Sequence, residues 1–276
     1  QAGLSYLAQI AKVYLGTQAN SAAFFKEAKD AIVTEFEGPH PAGNVGVQIH
    51  HVMPINKGET VWTIHPVDIA MIGKFLTRGE LDFSRTVALV GSKVLNPTYV
   101  KTRYGASLIS IFKNNLETLK NLRYISGNPL TGVQLKKEGT LSAFAHQISV
   151  IPEGDDVHEM LGWIAPRLSQ FSVSRTYFSW IKDLFRKKPY DFDARIKGGP
   201  RNMIASGEYE KVFPMDIYPE FLIKAIIAED IDKMEALGIY EVAPEDFALA
   251  EFVCSSKMEL QKIVREGLDF LYKEMN

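Results

Sequence analysis

One cysteine, Cys254, in a chain of 276 residues is the feature that most narrows how this polypeptide is held together. A lone thiol forms no intrachain disulfide, no cysteine-ligated zinc site and no self-contained iron–sulfur cluster. The fold must rest on buried apolar surface, and the length suits roughly two domains with a real core. Hydrophobic residues make up 46% and charged residues 23%, which excludes a disordered or fibrous chain. Thirty-one Lys and Arg against 33 Asp and Glu leave a formal charge of −2, which removes nucleic acid from the expected partners. No run approaches about 18 consecutive apolar residues and no signal peptide is recognisable, so the expected place is the cytoplasm or its membrane face. The abrupt opening from Gln1 to Gly16 reads as the inside of a longer protein, with any site built from upstream residues lying outside it.

Up to about residue 95 short apolar runs alternate with Gly and Pro and with amphipathic stretches, an α/β pattern. Lys12 to Leu15, Val45 to Val52, Thr60 to Ile64 and Thr86 to Val90 read as strands, and Ser21 to Asp30 and Pro66 to Lys74 as helices. Residues 96–153 read as a small β-rich module of α+β type. It has strands near Val100–Arg103, Arg123–Ser126 and Gln147–Ile151, and a helix after Gly105-Ala106-Ser107. Residues 182–201 carry seven basic and three acidic side chains, a net of +4, whereas 202–276 carry 16 acidic and seven basic, a net of −9. The small total charge thus hides a polarised chain. The acidic tail reads as helical: Pro219 toward Gly238, a second helix from Pro244-Glu245-Asp246, and a last one capped by Ser255 or Ser256 through Tyr272.

Several catalytic patterns fail at a definable atom. Gly38-Pro39-His40-Pro41-Ala42-Gly43 has phosphate-loop spacing, but Asn44 and Val45 stand where Lys and Ser or Thr are needed. His158-Glu159 lacks the second histidine of a zinc pair, because position 162 is Gly162. No nucleophile elbow occurs, and Cys254 has no histidine nearby in sequence. His50 and His51, adjacent in an expected strand, would point to opposite faces and so not share a metal. His40 or His65 converging with one of them is weighed against plain polar or capping roles, and the plainer reading is favoured. Phe171, Tyr177, Phe178, Trp180, Phe185, Tyr190 and Phe192 alternate with basic residues. Trp180 with Arg186, Lys187 and Lys188 is the candidate contact with a partner or a membrane surface, against the alternative of a core-covering helix, which is weighted somewhat higher.

The segment Glu37 to His51, with Thr60–Ile64, Asp68–Lys74, Arg85–Gly91, Thr102–Leu108, Arg123–Gly127, Phe171–Thr176 and Ser206–Ile217 following in order, resembles the A-subunit family of sodium-translocating NADH:quinone reductases. That family in turn resembles the C subunit of the Rnf complex and the flavin-binding subunit of complex I. The resemblance implies a Rossmann-like α/β part over 1–95, a β-grasp module over 96–153, an aromatic and basic connecting segment over 154–201, and a helical domain over 202–276 related to iron–sulfur domains.

A ferredoxin-type domain needs C-x2-C-x2-C-x3-C-P, in which the fourth thiolate reaches the other cluster. Here Met203, Ser206, Tyr209 and Phe213 hold that spacing, with Gly207 and Pro214 in place. Pro244, Phe247, Ala250 and Cys254 repeat it, so seven of eight ligand positions are not cysteine. Met203, Phe213, Phe247 and Ala250 are expected to fill the cluster volumes with hydrocarbon. Ordinary helix starts that share a spacing are the plainer alternative.

The resulting expectation is a peripheral subunit on the cytoplasmic face of the membrane, with a structural or quinone-proximal role. It carries no redox cofactor of its own, within a complex that uses NADH, flavins, an iron–sulfur centre and ubiquinone. Its partners are the other, mainly membrane, subunits; a ubiquinone contact is assigned to no residue. The alternative is an oxidoreductase domain binding flavin or a nicotinamide nucleotide, which the lack of a G-x-G-x-x-G turn in 1–95 disfavours. A third reading is a membrane-surface adaptor acting through 171–201.

Overall fold

The computed structural model describes residues 1–112, 114–118, 120–155, 165–185 and 190–275. His158-Glu159, Gly162 and the Arg186, Lys187 and Lys188 triplet lie outside the described residues. Contacts divide the chain into two units, one made of 1–82 with 199–276 and the other of 83–198.

The first unit begins with α1 (Ala2–Leu7), β1 (Tyr14–Gln18), α2 (Ala23–Lys26), β2 (Ile32–Phe36), α3 (Val45–Val52) and α4 (Pro66–Arg78). β1 and β2 pair in parallel from Tyr14↔Ile32 to Gln18↔Phe36. The start of α4 follows its sequence signals: Pro66 at the first turn, Asp68 against the helix dipole, and His65 Nδ1 accepting from the Val67 N–H at 3.3 Å. Gly79, at φ 70°, ends it. Gly3 and Gly73 let α1 and α4 touch, since a Cβ on Gly73 would lie 2.5 Å from the Gly3 nitrogen.

Two expected strands are corrected. Val45–Val52 is a helix, not a strand. Its apolar residues at 45, 47 and 49 alternate, but only Val47 is buried, and it joins the core made by the C-terminal helices. Tertiary packing overrides the β-branched pattern. Residues 60–64 form no strand either: Trp62 and Ile64 face solvent and no neighbouring strand pairs with them.

The C-terminal part adds α7 (Pro219–Ile227), α8 (Ile231–Ala236), short 3-10 turns at Ile239–Glu241 and Pro244–Phe247, α9 (Ala248–Val253) and α10 (Leu260–Met275). The helix expected from Pro219 to Gly238 is broken at Glu229, which takes a left-handed φ of 54°, and Asp230, whose Oδ1 caps α8 by accepting from the Lys233 N–H. Ser255 and Ser256 do not cap α10. Ser256 Oγ donates to the Asn202 carbonyl instead, and the helix starts at Leu260. Leu222, Ile223, Met234, Ile239, Phe247, Ala250, Leu260 and Val264 are fully buried and share one core with Val47. Segments 1–82 and 199–276 are therefore one folding unit, although the whole second unit separates them in sequence.

The second unit contains β3 (Ser84–Val90), β4 (Thr98–Arg103), α5 (Leu108–Phe112), β5 (Leu122–Ser126), β6 (Val133–Leu135), β7 (Gln147–Pro152) and α6 (Ser179–Phe185). Its five-stranded sheet has the order β4-β3-β7-β5-β6, with β3 and β7 parallel and the other pairs antiparallel. β3, which the sequence reading groups with the first 95 residues, is a central strand here. Val87 and Leu89 from β3 meet Ile148 and Val150 from β7 under Leu108, Ile111 and Phe112. Arg85 is buried, donates to the carbonyls of Ser142, Ala143 and Ala145, and lies 4.6 Å from the Tyr104 ring centroid. This pins the 142–145 segment to the sheet.

Candidate functional site

The two spaced runs of the acidic tail meet crosswise. The Tyr209 hydroxyl, third in the first run, lies 3.0 Å from the Cys254 sulfur, fourth in the second. The Phe213 ring, fourth in the first run, lies 4.8 Å from that of Phe247, second in the other. Tyr209, Phe213, Phe247, Ala250 and Cys254 are all buried in the same core, against which Met203 packs. Ser206 is exposed, and its N–H and that of Gly207 donate to Glu220 Oε1 at 3.0 and 2.7 Å. Pro244 opens the 3-10 turn that delivers Phe247. Burial, then the thiol beside it, pushes the Tyr209 phenol above its ordinary value, so it stays neutral and holds Cys254 in place. One thiol among phenol, phenyl and methyl groups is not a donor set for an iron–sulfur cluster, so the residues present do not fit that group. Among the described residues no three His, Cys, Asp or Glu converge to hold a metal ion.

The histidines depart from the strand geometry expected for them. On α3, His50 and His51 both reach the C-terminal segment. His50 Nε2 accepts from the Asp216 N–H at 2.9 Å, which leaves Nδ1–H to donate to Glu241 Oε2 at 2.8 Å. His51 Nε2 donates to the Pro214 carbonyl at 2.8 Å. The pair ties α3 to the chain just beyond Phe213. His65 serves α4 as its cap.

His40 lines a cavity of about 360 Å³ with Gly16, Thr17, Phe36, Gly38, Gly43 and Gln48. This cavity lies at the carboxyl ends of the parallel strands β1 and β2, where α/β sheets commonly take ligands. Among the described residues no Lys or Arg lines it.

A second cavity, of about 210 Å³, lies between α3, the 55–63 segment and the two 3-10 turns. Asp246 is in its wall and only 3% exposed. Its Oδ2 accepts from the Ala243 N–H at 2.8 Å, while Oδ1 is buried without a hydrogen bond among the described residues. Burial pushes this carboxyl up to about 6, opposed by the Ala243 N–H and assisted by Glu245. Gly46 of α3 lies against it, and a Cβ there would come within 2.5 Å of both oxygens. Sequence reasoning missed this group, because a Pro-Glu-Asp helix start explains an aspartate by the helix dipole alone. Trp180, on α6, is 41% exposed, and Phe171, Tyr190 and Phe192 form an aromatic cluster with Phe171 at 5.4 and 5.8 Å from the other two rings.

Fold and site together define a mixed α/β protein whose helical part buries Tyr209, Phe213, Phe247, Ala250 and Cys254 in one core. No helix among the described residues is long and apolar enough to cross a membrane. Comparison with known families gives that class a particular identity. Residues 1–81 match the NqrA second alpha/beta domain and residues 86–137 the NQRA C-terminal domain. The NqrA protein of Pasteurella multocida, the A-subunit of its Na(+)-translocating NADH-quinone reductase, is 40% identical over 279 residues, covering 99% of this chain and 61% of that protein. Its counterpart in Rhodopirellula baltica is 40% identical over 240 residues, covering 87% and 52%. That of Haemophilus influenzae is 41% identical over 244 residues, covering 88% and 53%. The chain belongs to the NqrA family, the A-subunits of Na(+)-translocating NADH-quinone reductases, and it spans between about half and three fifths of the length of these relatives.

Proposed function

We propose that the chain works as a peripheral, architectural part of a sodium-pumping NADH:quinone reductase. It lies on the cytoplasmic face of the membrane and braces the membrane subunits without carrying a redox group of its own. The observation that supports this best is the crossed packing of Tyr209 on Cys254 and of Phe213 on Phe247, at positions where a ferredoxin-type domain places thiolates. We read the three-part Rossmann-like, β-grasp and ferredoxin-like layout in the same light. The ordered homology to NqrA proteins supports membership of the complex, which passes electrons from NADH through flavins and an iron–sulfur centre to ubiquinone. The +4 and −9 stretches would orient docking more than strengthen it. Trp180, with Arg186, Lys187 and Lys188, is the proposed partner contact on the basic side. On the acidic side, exposed Tyr218 and Phe221 at the start of α7, 6.2 Å apart edge to face, offer an aromatic anchor.

The test uses the chain as bait for the remaining subunits. Wild type is expected to recover them, and Phe221→Asp and the charge reversal of 186–188 to recover less with unchanged circular dichroism. Failure of the wild type to recover any of them, or flavin or iron–sulfur absorption that survives desalting, would refute the proposal.

A second reading, a flavin- or nicotinamide-nucleotide-binding domain, draws support from the cavity at the carboxyl ends of β1 and β2. Titration with FMN and NADH, followed by quenching of the ligand's fluorescence, separates the two. Saturable binding abolished by Gly43→Trp would favour the nucleotide.

A further inference from the structure

The cavity beside Asp246 has the composition of a site for an organic cation. Its walls are largely apolar, supplied by Val45, Ile49, Ile55, Val61 and Val242, and Tyr240 also lines it. Three carboxylates line it: Asp246 in the wall, Glu241 and Glu245. Glu241 is engaged by His50, whereas Glu245 is exposed at the mouth and has no ion-pair partner among the described residues. The nearby Lys57 is committed to Glu235 at 2.6 Å. Val45, Val61 and Thr63 are exposed, so the cavity opens at the surface.

The second observation is independent of the acidic cluster. Asp246 is nearly fully buried, and among the described residues its Oδ1 has no protein donor and almost no exposure. A buried carboxyl oxygen left in this state is costly, and a donor brought in from outside removes the cost. The carboxylates do not converge as metal ligands do. A bare ion would also leave the apolar walls unused. A positively charged donor on a hydrocarbon stem uses both kinds of wall: the stem against valine and isoleucine, and the head between Asp246 and Glu245.

We propose that this cavity binds a primary ammonium carried on an alkyl stem, whether a free amine or the side chain of a lysine. Asp246 and Glu245 hold the charge and the α3 wall holds the stem. Binding would draw α3 and the 3-10 turn at Pro244–Phe247 together, because both line the same cavity.

The experiment titrates the chain with n-butylammonium, with Nα-acetyl-lysine N-methylamide and with n-butanol, following the backbone amide resonances of Gly46 and Ala243. Saturable shifts with millimolar Kd are expected for one or both ammonium probes, with n-butanol weaker by about tenfold or more. A tighter butylammonium points to a free amine as the natural ligand, and a tighter lysine derivative to a side chain. Asp246→Asn is expected to lose about tenfold or more in affinity. Val61→Phe, which fills the cavity from its exposed side and leaves the carboxyls intact, is expected to abolish binding and covers the case in which the first variant does not fold. Equal affinity for n-butanol, shifts that never saturate, or a Val61→Phe chain that binds like wild type would each overturn the proposal.

Discussion

Replacing Asp246 by Asn should remove a specific dependence of stability on pH. The carboxyl has an ordinary value of 3.8 and is pushed up to about 6 in the folded chain, mainly by burial. A group whose folded value is raised binds its proton more tightly in the native state, so the folded form holds more protons than the unfolded form between those two values. Its contribution is most favourable below about pH 4, is lost progressively as pH rises to about 6, and is constant beyond. The gap corresponds to about 3 kcal/mol at 1.36 kcal/mol per pH unit. Asp193, Asp230 and Glu235 are held below their ordinary values and slope the other way, so the raw stability curve mixes signs. The difference between wild type and Asp246→Asn isolates the one group. The amide oxygen can keep the Ala243 N–H bond, and any cost of the unpaired amide hydrogens is independent of pH. Urea unfolding followed by far-ultraviolet circular dichroism, which reports α7 to α10, should show the wild type losing about 3 kcal/mol relative to the variant between about pH 4 and pH 6.5. A difference that stays flat across that interval would refute the burial argument.

Other consequences are smaller in scope. Gly46→Ala drives a methyl within 2.5 Å of both Asp246 oxygens, so it should cost about 1–3 kcal/mol, and Asp246→Ala in the same chain should recover part of that in a double-mutant cycle. Phe247→Ala empties a fully buried position against Phe213 and should destabilise by about 3–5 kcal/mol in the same unfolding assay, with Phe247→Leu costing less than half as much. Tyr209→Phe removes the hydroxyl beside Cys254 for about 1 kcal/mol, and Cys254, 1% exposed, should stay unreactive to iodoacetamide in both native chains.

Much of the architecture was legible from local signals, and the failures share a cause. Pro66 marks the start of α4 because caps act within one turn, although the helix runs past the expected Lys74 to Arg78 and ends at Gly79, and the alternation of β3 is visible because one face meets a core. The misread stretch at Val45–Val52 has strand-like alternation, yet it is helical because Val47, His50 and His51 are engaged by residues far away in sequence. Residues 60–64 have strand composition but no neighbour to pair with. The spacing of Met203, Ser206, Tyr209 and Phe213 and of Pro244, Phe247, Ala250 and Cys254 was readable. That members of opposite runs touch, third on fourth and fourth on second, required the fold. Asp246 could not be found from sequence, because its peculiarity is an absence of partners around Oδ1 rather than any pattern of residues.

The packing of the first unit bears on how its role can be dissected. α3 lies in the N-terminal segment, yet Val47 enters the C-terminal core, His50 bridges Asp216 and Glu241, and His51 bonds the Pro214 carbonyl. Removing 202–276 would strip α3 of all these partners and expose the apolar faces of both segments. A deletion would therefore report unfolding, not loss of a brace. The same coupling means that a partner gripping the exposed Tyr218 and Phe221 side of α7 pulls on an element tied, through the shared core, to α3 and the N-terminal segment that carries it. In a unit with one shared apolar core, rigidity depends strongly on packing density. Core variants such as Phe247→Ala should then weaken capture of partner subunits in proportion to their loss of stability, whereas surface variants such as Phe221→Asp should weaken capture at unchanged stability.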